Sequence, residues 1–277
     1  MEKRSVNPAS AINEFAREVT RRFRWEEPAS FWECHSLYQR IAGTPLLAST
    51  LNADLRHLIR DPGYKGDWQP NEIVLRRGSE WTLSVVRVKE PLRYIHALPF
   101  FAMFSSVGDG DLSHTRYALP TNYRNEIFDP SLRLGDPEVV SVEDRGTVLL
   151  HTDRFAYDFH IPRPTVVLKF ATAPILPLEW LFSRGTLHPW QANDSDLGFT
   201  QLRIAAHLLG RFAHQSSLEA LKRLSVHSHH AVRWAAIQSL GRINRSEAMV
   251  RLKEAVDDTH PHIQRAARKT LSQLKSS

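Results

Sequence analysis

Apolar positions along this chain keep three rhythms in succession. Ile12, Phe15, Val19 and Phe23 recur at steps of three and four, with Arg17, Arg21, Arg22 and Arg24 between them, which predicts one amphipathic helix. Pro28 opens a second helical stretch holding Phe31, Trp32, Leu37 and Ile41 and ending at Gly43. A third runs from Pro45 to Ile59 and stops at Asp61-Pro62-Gly63. From Asn71 the runs shorten and fill with β-branched and aromatic residues: Ile73 to Leu75, Trp81 to Val88, Arg93 to Phe104, His114 to Ala118, Val139 to Val142, Val148 to His151, Phe155 to His160 and Thr165 to Ala171. Gly78, Pro91 and Gly108-Asp109-Gly110-Asp111, a hairpin turn, punctuate them. Many short strands at intervals of about ten residues predict an antiparallel sandwich or barrel. Trp180-Leu181-Phe182 leads out of it, Gly185 to Asp196 is a linker, and helical spacing returns at Gly198. The fold class is α+β, with an N-terminal helical segment over 1–68, a β domain over 69–184 and helical repeats over 198–277.

The last quarter repeats itself. Leu221, Val232, Ala236, Leu240 and Ile243 align with Leu252, Ile263, Ala267, Leu271 and Leu274 at a constant offset of 31 residues without a gap, and Ala205, Leu209, Gly210, Arg211 and Phe212 precede Ala236 to Ile243 by one more period. A fixed period of this length means stacked helical units, because no single unit buries its own apolar face. Each unit reads as two helices. Ser228 is placed to cap the second helix of the first unit and Thr259 that of the next, with Pro261 in its first turn. The paired helices, Val232-Arg233 after the turn and the small Ala235 and Ala236 resemble HEAT repeats. The Asp-x-x-Pro-x-Val-Arg turn of that family is kept in part: Val232-Arg233 lacks the proline, and Asp258 with Pro261 is followed by Ile263-Gln264. The resemblance implies an array that binds another macromolecule, with Arg233 bonding between repeats.

Charge separates the array from the rest. Residues 216–277 hold 11 Lys or Arg against 5 Asp or Glu, and residues 1–215 hold 25 against 25, so the net charge of +6 sits on the repeats. A basic array of this kind meets an acidic protein or nucleic acid. With no aromatics interleaved for base stacking, nucleic acid is the third reading rather than the first. The 277-residue chain has room for one large or two modest cores. No run is long enough to span a bilayer and no apolar signal segment follows Met1. The single cysteine, Cys34, excludes an internal disulfide, and the expectation is a cytoplasmic protein.

Chemistry concentrates in the β domain. The segment from Gly146-Thr147-Val148-Leu149-Leu150 to Pro164-Thr165-Val166-Val167-Leu168-Lys169-Phe170 resembles the second half of a cupin barrel. The resemblance places the metal histidine near Tyr157, with Asp158 and His160 close by; the paired His-x-His of the first cupin motif is absent, and His114 stands in the comparable region. His151-Thr152-Asp153 is similar to the His-x-Asp of 2-oxoglutarate oxygenases, which implies two legs of a facial triad for Fe(II). The third ligand then comes from His114, His160 or His188, although no arginine about ten residues after His188 completes the motif. The plain alternative is a strand-end histidine and a turn aspartate capping local amides. His227, His229, His230, His260 and His262 crowd the inter-helix turns of the repeats, where they are either surface residues or ligands of a metal between repeats. No phosphate-binding glycine loop, nucleophile elbow or kinase signature is present.

Two functions follow from these readings. One is a binding or adaptor protein whose array docks a protein or peptide partner while the cupin-like domain holds a ligand. The other is a non-haem Fe(II) oxygenase in which metal-binding residues drawn from His151, Asp153, His114, His160 and His188 do the chemistry and the repeats present the substrate.

Overall fold

The computed structural model describes residues 8–44, 68–88, 92–107, 112–142, 146–161 and 163–275, with residues 52, 55–61 and 63 between the first two spans. Most of the third predicted helix and the Gly108 to Asp111 loop lie outside the described residues. The chain forms two compact units. Residues 1–123 and 130–192 make the first, and 124–129 with 193–277 make the second.

In the first unit, α1 (Pro8–Arg22), a 3-10 segment (Pro28–Cys34) and α2 (His35–Ala42) precede the strands. Residues 55–60 are helical and are labelled α3. The strands are β1 (Trp68–Gln69), β2 (Glu72–Arg77), β3 (Trp81–Val88), β4 (Ile95–Ala97), β5 (Ala102–Ser106), β6 (His114–Ala118), β7 (Pro137–Val140), β8 (Thr147–Leu150), β9 (Phe155–Phe159), β10 (Thr165–Thr172), β11 (Leu178–Phe182) and β12 (Pro189–Asp194). They form two six-stranded sheets in the orders β1-β2-β3-β10-β5-β8 and β12-β11-β4-β9-β6-β7. The inner eight, β3 to β10, are shared between the sheets as 3-10-5-8 and 4-9-6-7. That is the jelly-roll order of two Greek keys, the architecture that cupins use.

Two sequence expectations change here. The single run Arg93 to Phe104 is two strands in different sheets, parted at Leu98 to Phe101 where Pro99 cannot continue a ladder. The expected linker holds β12, an edge strand of the second sheet.

The first sheet is covered on both faces, which is why β3 and β10 read as nearly continuous apolar runs. Toward the helices, Leu83, Val85, Leu168 and Phe170 form one core with Ile12, Phe15, Val19 and Phe23. Phe15 meets Trp81 and Phe170 edge-on, Phe31 lies 4.6 Å from Phe170, and the Tyr38 hydroxyl donates to the Leu168 carbonyl at 2.7 Å. The arginine-flanked helix is thus a cover for the sheet. Toward the second sheet, Val167, Ala102, Val148 and Leu150 pack with Tyr157 and Phe159. Cys34 is a buried free thiol whose pKa burial pushes up to about 11.

The second unit contains α4 (Leu197–Phe212), α5 (Leu218–Leu224), α6 (His230–Ile243), α7 (Arg245–Glu254) and α8 (Pro261–Lys275). Asp196 caps α4 by accepting from the Gly198 amide, and Asn244 caps α7 by accepting from the Glu247 amide. The two turn caps differ from expectation by one residue. α6 starts at His230 with no side-chain cap, and α8 starts at Pro261, ahead of which Asp258, rather than Thr259, accepts the His260 amide. α4 and α6 pack closely because Gly210 has no side chain. A Cβ there would stand 2.6 Å from the Ser239 Cβ.

Candidate functional site

Within the β unit, cross-strand pairing fixes which residues share the inner face of the second sheet. Leu181 opposes His96, His96 opposes Tyr157, Tyr157 opposes Arg116 and Arg116 opposes Glu138, one row across five strands. Tyr157 belongs to the core between the sheets, so the row faces inward. Arg116 makes a bidentate pair with Glu138 at 2.8 and 2.6 Å and lies over the Phe155 ring. His96 Nδ1 is 2.7 Å from Glu179 Oε1, both part-buried. On the facing sheet, Lys169 pairs with Glu72 at 2.7 Å. Sequence reading missed His96, Glu179, Glu72 and Lys169. The signal for His96 was its place between the two fully apolar positions Ile95 and Ala97 of a three-residue strand.

The four candidate histidine ligands are held by separate partners. His151, just past β8, stacks on Trp32 with ring centres 4.1 Å apart, and burial lowers its pKa despite nearby Asp153. Asp153 is exposed in the turn that follows. His114 lies on β6 between the Tyr157 and Phe159 rings, with Nδ1 3.3 Å from the Leu112 carbonyl, and burial lowers its pKa too. His160 Nε2 is 2.8 Å from Thr115 Oγ1, and His188 Nδ1 is 2.7 Å from the Leu132 carbonyl. Tyr157, at the position where the cupin resemblance puts a metal histidine, receives the His151 amide on its hydroxyl at 2.8 Å. Among the described residues, no three His, Cys, Asp or Glu side chains gather as a metal site requires. Three converging donors are the minimum for a facial iron(II) site, and this arrangement does not fit one.

In the repeat unit the turn histidines form a stack. His229 lies 4.3 Å from Phe199 at 18°, and His230 and His260 are parallel within 2° at 3.7 Å. His260 Nδ1 accepts the His262 amide and its Nε2 meets the Glu126 carbonyl at 2.9 Å. Burial lowers the pKa of His229, His230 and His262, with His230 brought down to about 3. These histidines are packing elements, a role different from both sequence readings. Beside them Arg233 spans two turns. Its guanidinium holds Asp258 at 3.0 and 2.6 Å and donates to the carbonyls of His227 and Ser228.

The array also exposes an apolar face. Leu197, Ile204, Leu208 and Phe212 of α4 are 76%, 52%, 45% and 76% exposed, at steps of seven, four and four that set them on one side of the helix. Adding 31 residues takes Gln201, Ile204, Ala205 and Leu208 to Val232, Ala235, Ala236 and Ser239, all buried. The open side of α4 is therefore the repeat equivalent of the side of α6 that packs on α4.

A family model of HEAT repeats matches residues 201–276, in agreement with the paired helices there. No curated protein sequence matches the chain. Solved structures with partial similarity include hydroquinone 1,2-dioxygenase PnpCD in complex with Cd2+ and 4-hydroxybenzonitrile, at 19% identity over 41% of this chain and 69% of that one, with a TM-score of 0.27. Hydroquinone 1,2-dioxygenase from Sphingomonas sp. TTNP3 with 4-hydroxybenzoate bound is 13% identical over 41% and 70%, with a TM-score of 0.27. A protein from Bacillus halodurans is 13% identical over 36% and 67%, with a TM-score of 0.24. These overlaps are slight, and the jelly roll rests on its strand order alone. The chain thus joins a jelly-roll unit to HEAT repeats. Among the described residues no helix is long and apolar enough to cross a membrane.

Proposed function

We propose that this protein is a binding module, in which the HEAT repeats dock a protein partner and the jelly roll holds a ligand or completes the interface. The observation that supports it most is the open side of α4. Leu197, Ile204, Leu208 and Phe212 leave four large apolar side chains in water, and the repeat equivalents of Ile204 and Leu208, Ala235 and Ser239, are buried in a helix seam. An end repeat that needed only to be soluble carries a polar outer face. The buried Cys34 thiol fits a reducing compartment such as the cytoplasm.

Affinity capture with the wild-type chain and with Leu208→Glu plus Phe212→Glu tests this reading. Both changes are at exposed positions, so the variant folds, as circular dichroism will check. A defined protein retained by the wild type and lost by the variant is the expected result; identical profiles for the two chains would refute docking through this face. The oxygenase reading asks His151 and Asp153 to share one iron with His114, His160 or His188, and the separate partners of the four histidines speak against it.

A further inference from the structure

The second repeat contains an opened counterpart of the first helix seam. A shift of 31 residues takes Ala206 and Gly210 of α4 to Ile237 and Gly241 of α6, and Ser239 and Ile243 of α6 to Thr270 and Leu274 of α8. In the first seam Gly210 lies hard against Ser239. In the second, the α6 and α8 backbones barely meet. A Cβ on Gly241 would find only Ala248 of α7, at 3.8 Å. Gly241 and Thr270 instead line a groove of about 320 Å³ between α6 and α8, floored by α7. At the positions of α6 that correspond to Arg203 and Ala206 of α4 stand Trp234 and Ile237, and both line this groove.

The groove has the character of a helix receptor. Trp234, Ile237 and Gly241 on one wall and Arg245, Met249 and Leu252 below follow helical spacing over two turns. Tryptophan and methionine give an apolar surface that adapts to a guest side chain. Leu274, on the far wall, is 39% exposed. Charge selects the guest. Lys222, Arg233 and Arg251 are paired with carboxylates, whereas Arg245, exposed in the lining of the groove, takes part in no ion pair among the described residues.

We propose that this groove docks an acidic amphipathic helix of a partner protein. The guest's large apolar side chains enter between α6 and α8, and a carboxylate of the guest meets Arg245. The inference rests on the reading of the repeats as a docking array and places a second contact surface on it. An apolar wall with one free cation suits a peptide; a nucleic acid needs a continuous run of cations and stacking aromatics.

Fluorescence anisotropy on the full chain tests it, with a labelled synthetic helix of about 15 residues carrying Leu and Phe at i, i+3 and i+7 and Glu elsewhere. A version with Lys for Glu and a scrambled version serve as controls. The variants are Leu274→Asp and Arg245→Glu in the groove, and Phe212→Glu on α4, all at exposed positions. The acidic helix is expected to bind the wild type, to weaken about tenfold or more in each groove variant, and to bind Phe212→Glu unchanged. Affinity should fall with added salt. No preference over the Lys or scrambled peptide, or full binding by both groove variants, would overturn the proposal. So would displacement of the peptide by a single-stranded oligonucleotide at lower concentration than by unlabelled peptide. Self-association of the chain that disappears in Leu274→Asp would name a second copy as the occupant and overturn it as well. Loss of binding only in Phe212→Glu would overturn the groove while leaving the array a docking module through α4. The capture experiment on α4 judges the broader reading separately.

Discussion

His230 and His260 stack 3.7 Å apart, a distance at which two imidazolium charges repel strongly. His230 is the most affected, its pKa brought from the usual 6.5 to about 3 by burial first and by His260 and His229 next. A histidine with a depressed folded pKa binds its proton more readily in the unfolded chain. Its contribution to stability is therefore complete above the unfolded pKa and is lost as pH falls from about 6.5 toward 3. The unfolding midpoint of the helical signal should drop between pH 7 and pH 4, and His230→Phe should flatten that dependence. A profile unchanged by the substitution would mean the stack is not the source. The sequence exposed the crowding of histidines but not their pairing, since residues 30 positions apart become neighbours only once the repeats stack. Arg233 was more legible, because its role follows from the turn motif, and its bidentate grip on Asp258 is the bond between repeats that the motif implies.

Helices and strands carry the next level of specification. Gly210 and Gly241 are the same position in successive repeats, yet only the first is pressed against a neighbouring helix. Gly210→Leu should force α4 from α6 and cost about 1–3 kcal/mol. Gly241→Ala meets ordinary contact at 3.8 Å and should be neutral or raise stability by up to about 1 kcal/mol through helix propensity. Urea titrations followed at the helical band would separate the two, and equal losses would mean both seams are closed in solution. At this scale the periodicities located most elements. They failed where one apolar run served two elements, as from Arg93 to Phe104, and where an edge strand was too polar to announce itself, as in β12.

The whole chain places the jelly roll's polar groups in closed pairs, Arg116 with Glu138, His96 with Glu179 and Lys169 with Glu72. It gives the candidate ligands His151, Asp153, His114, His160 and His188 no common centre. Elemental analysis after anaerobic loading with Fe(II) should find far less than one iron per chain, with His151→Ala no different from wild type. Stoichiometric iron lost in that variant would restore the oxygenase. The sequence by itself determined what depends on local periodicity: the amphipathic helices, the short strands, and the 31-residue repeat with its small and apolar seam positions. Those follow from residues within a few turns or strands of one another, where the sequence interval sets the spatial one. Only the tertiary structure decided which of the fourteen histidines meet, that β3 to β10 alternate between sheets, and that Gly210 is pressed on Ser239 while Gly241 faces an open groove. These depend on which distant surfaces come to pack together, and side-chain volume at those contacts is not written into the spacing of any one segment.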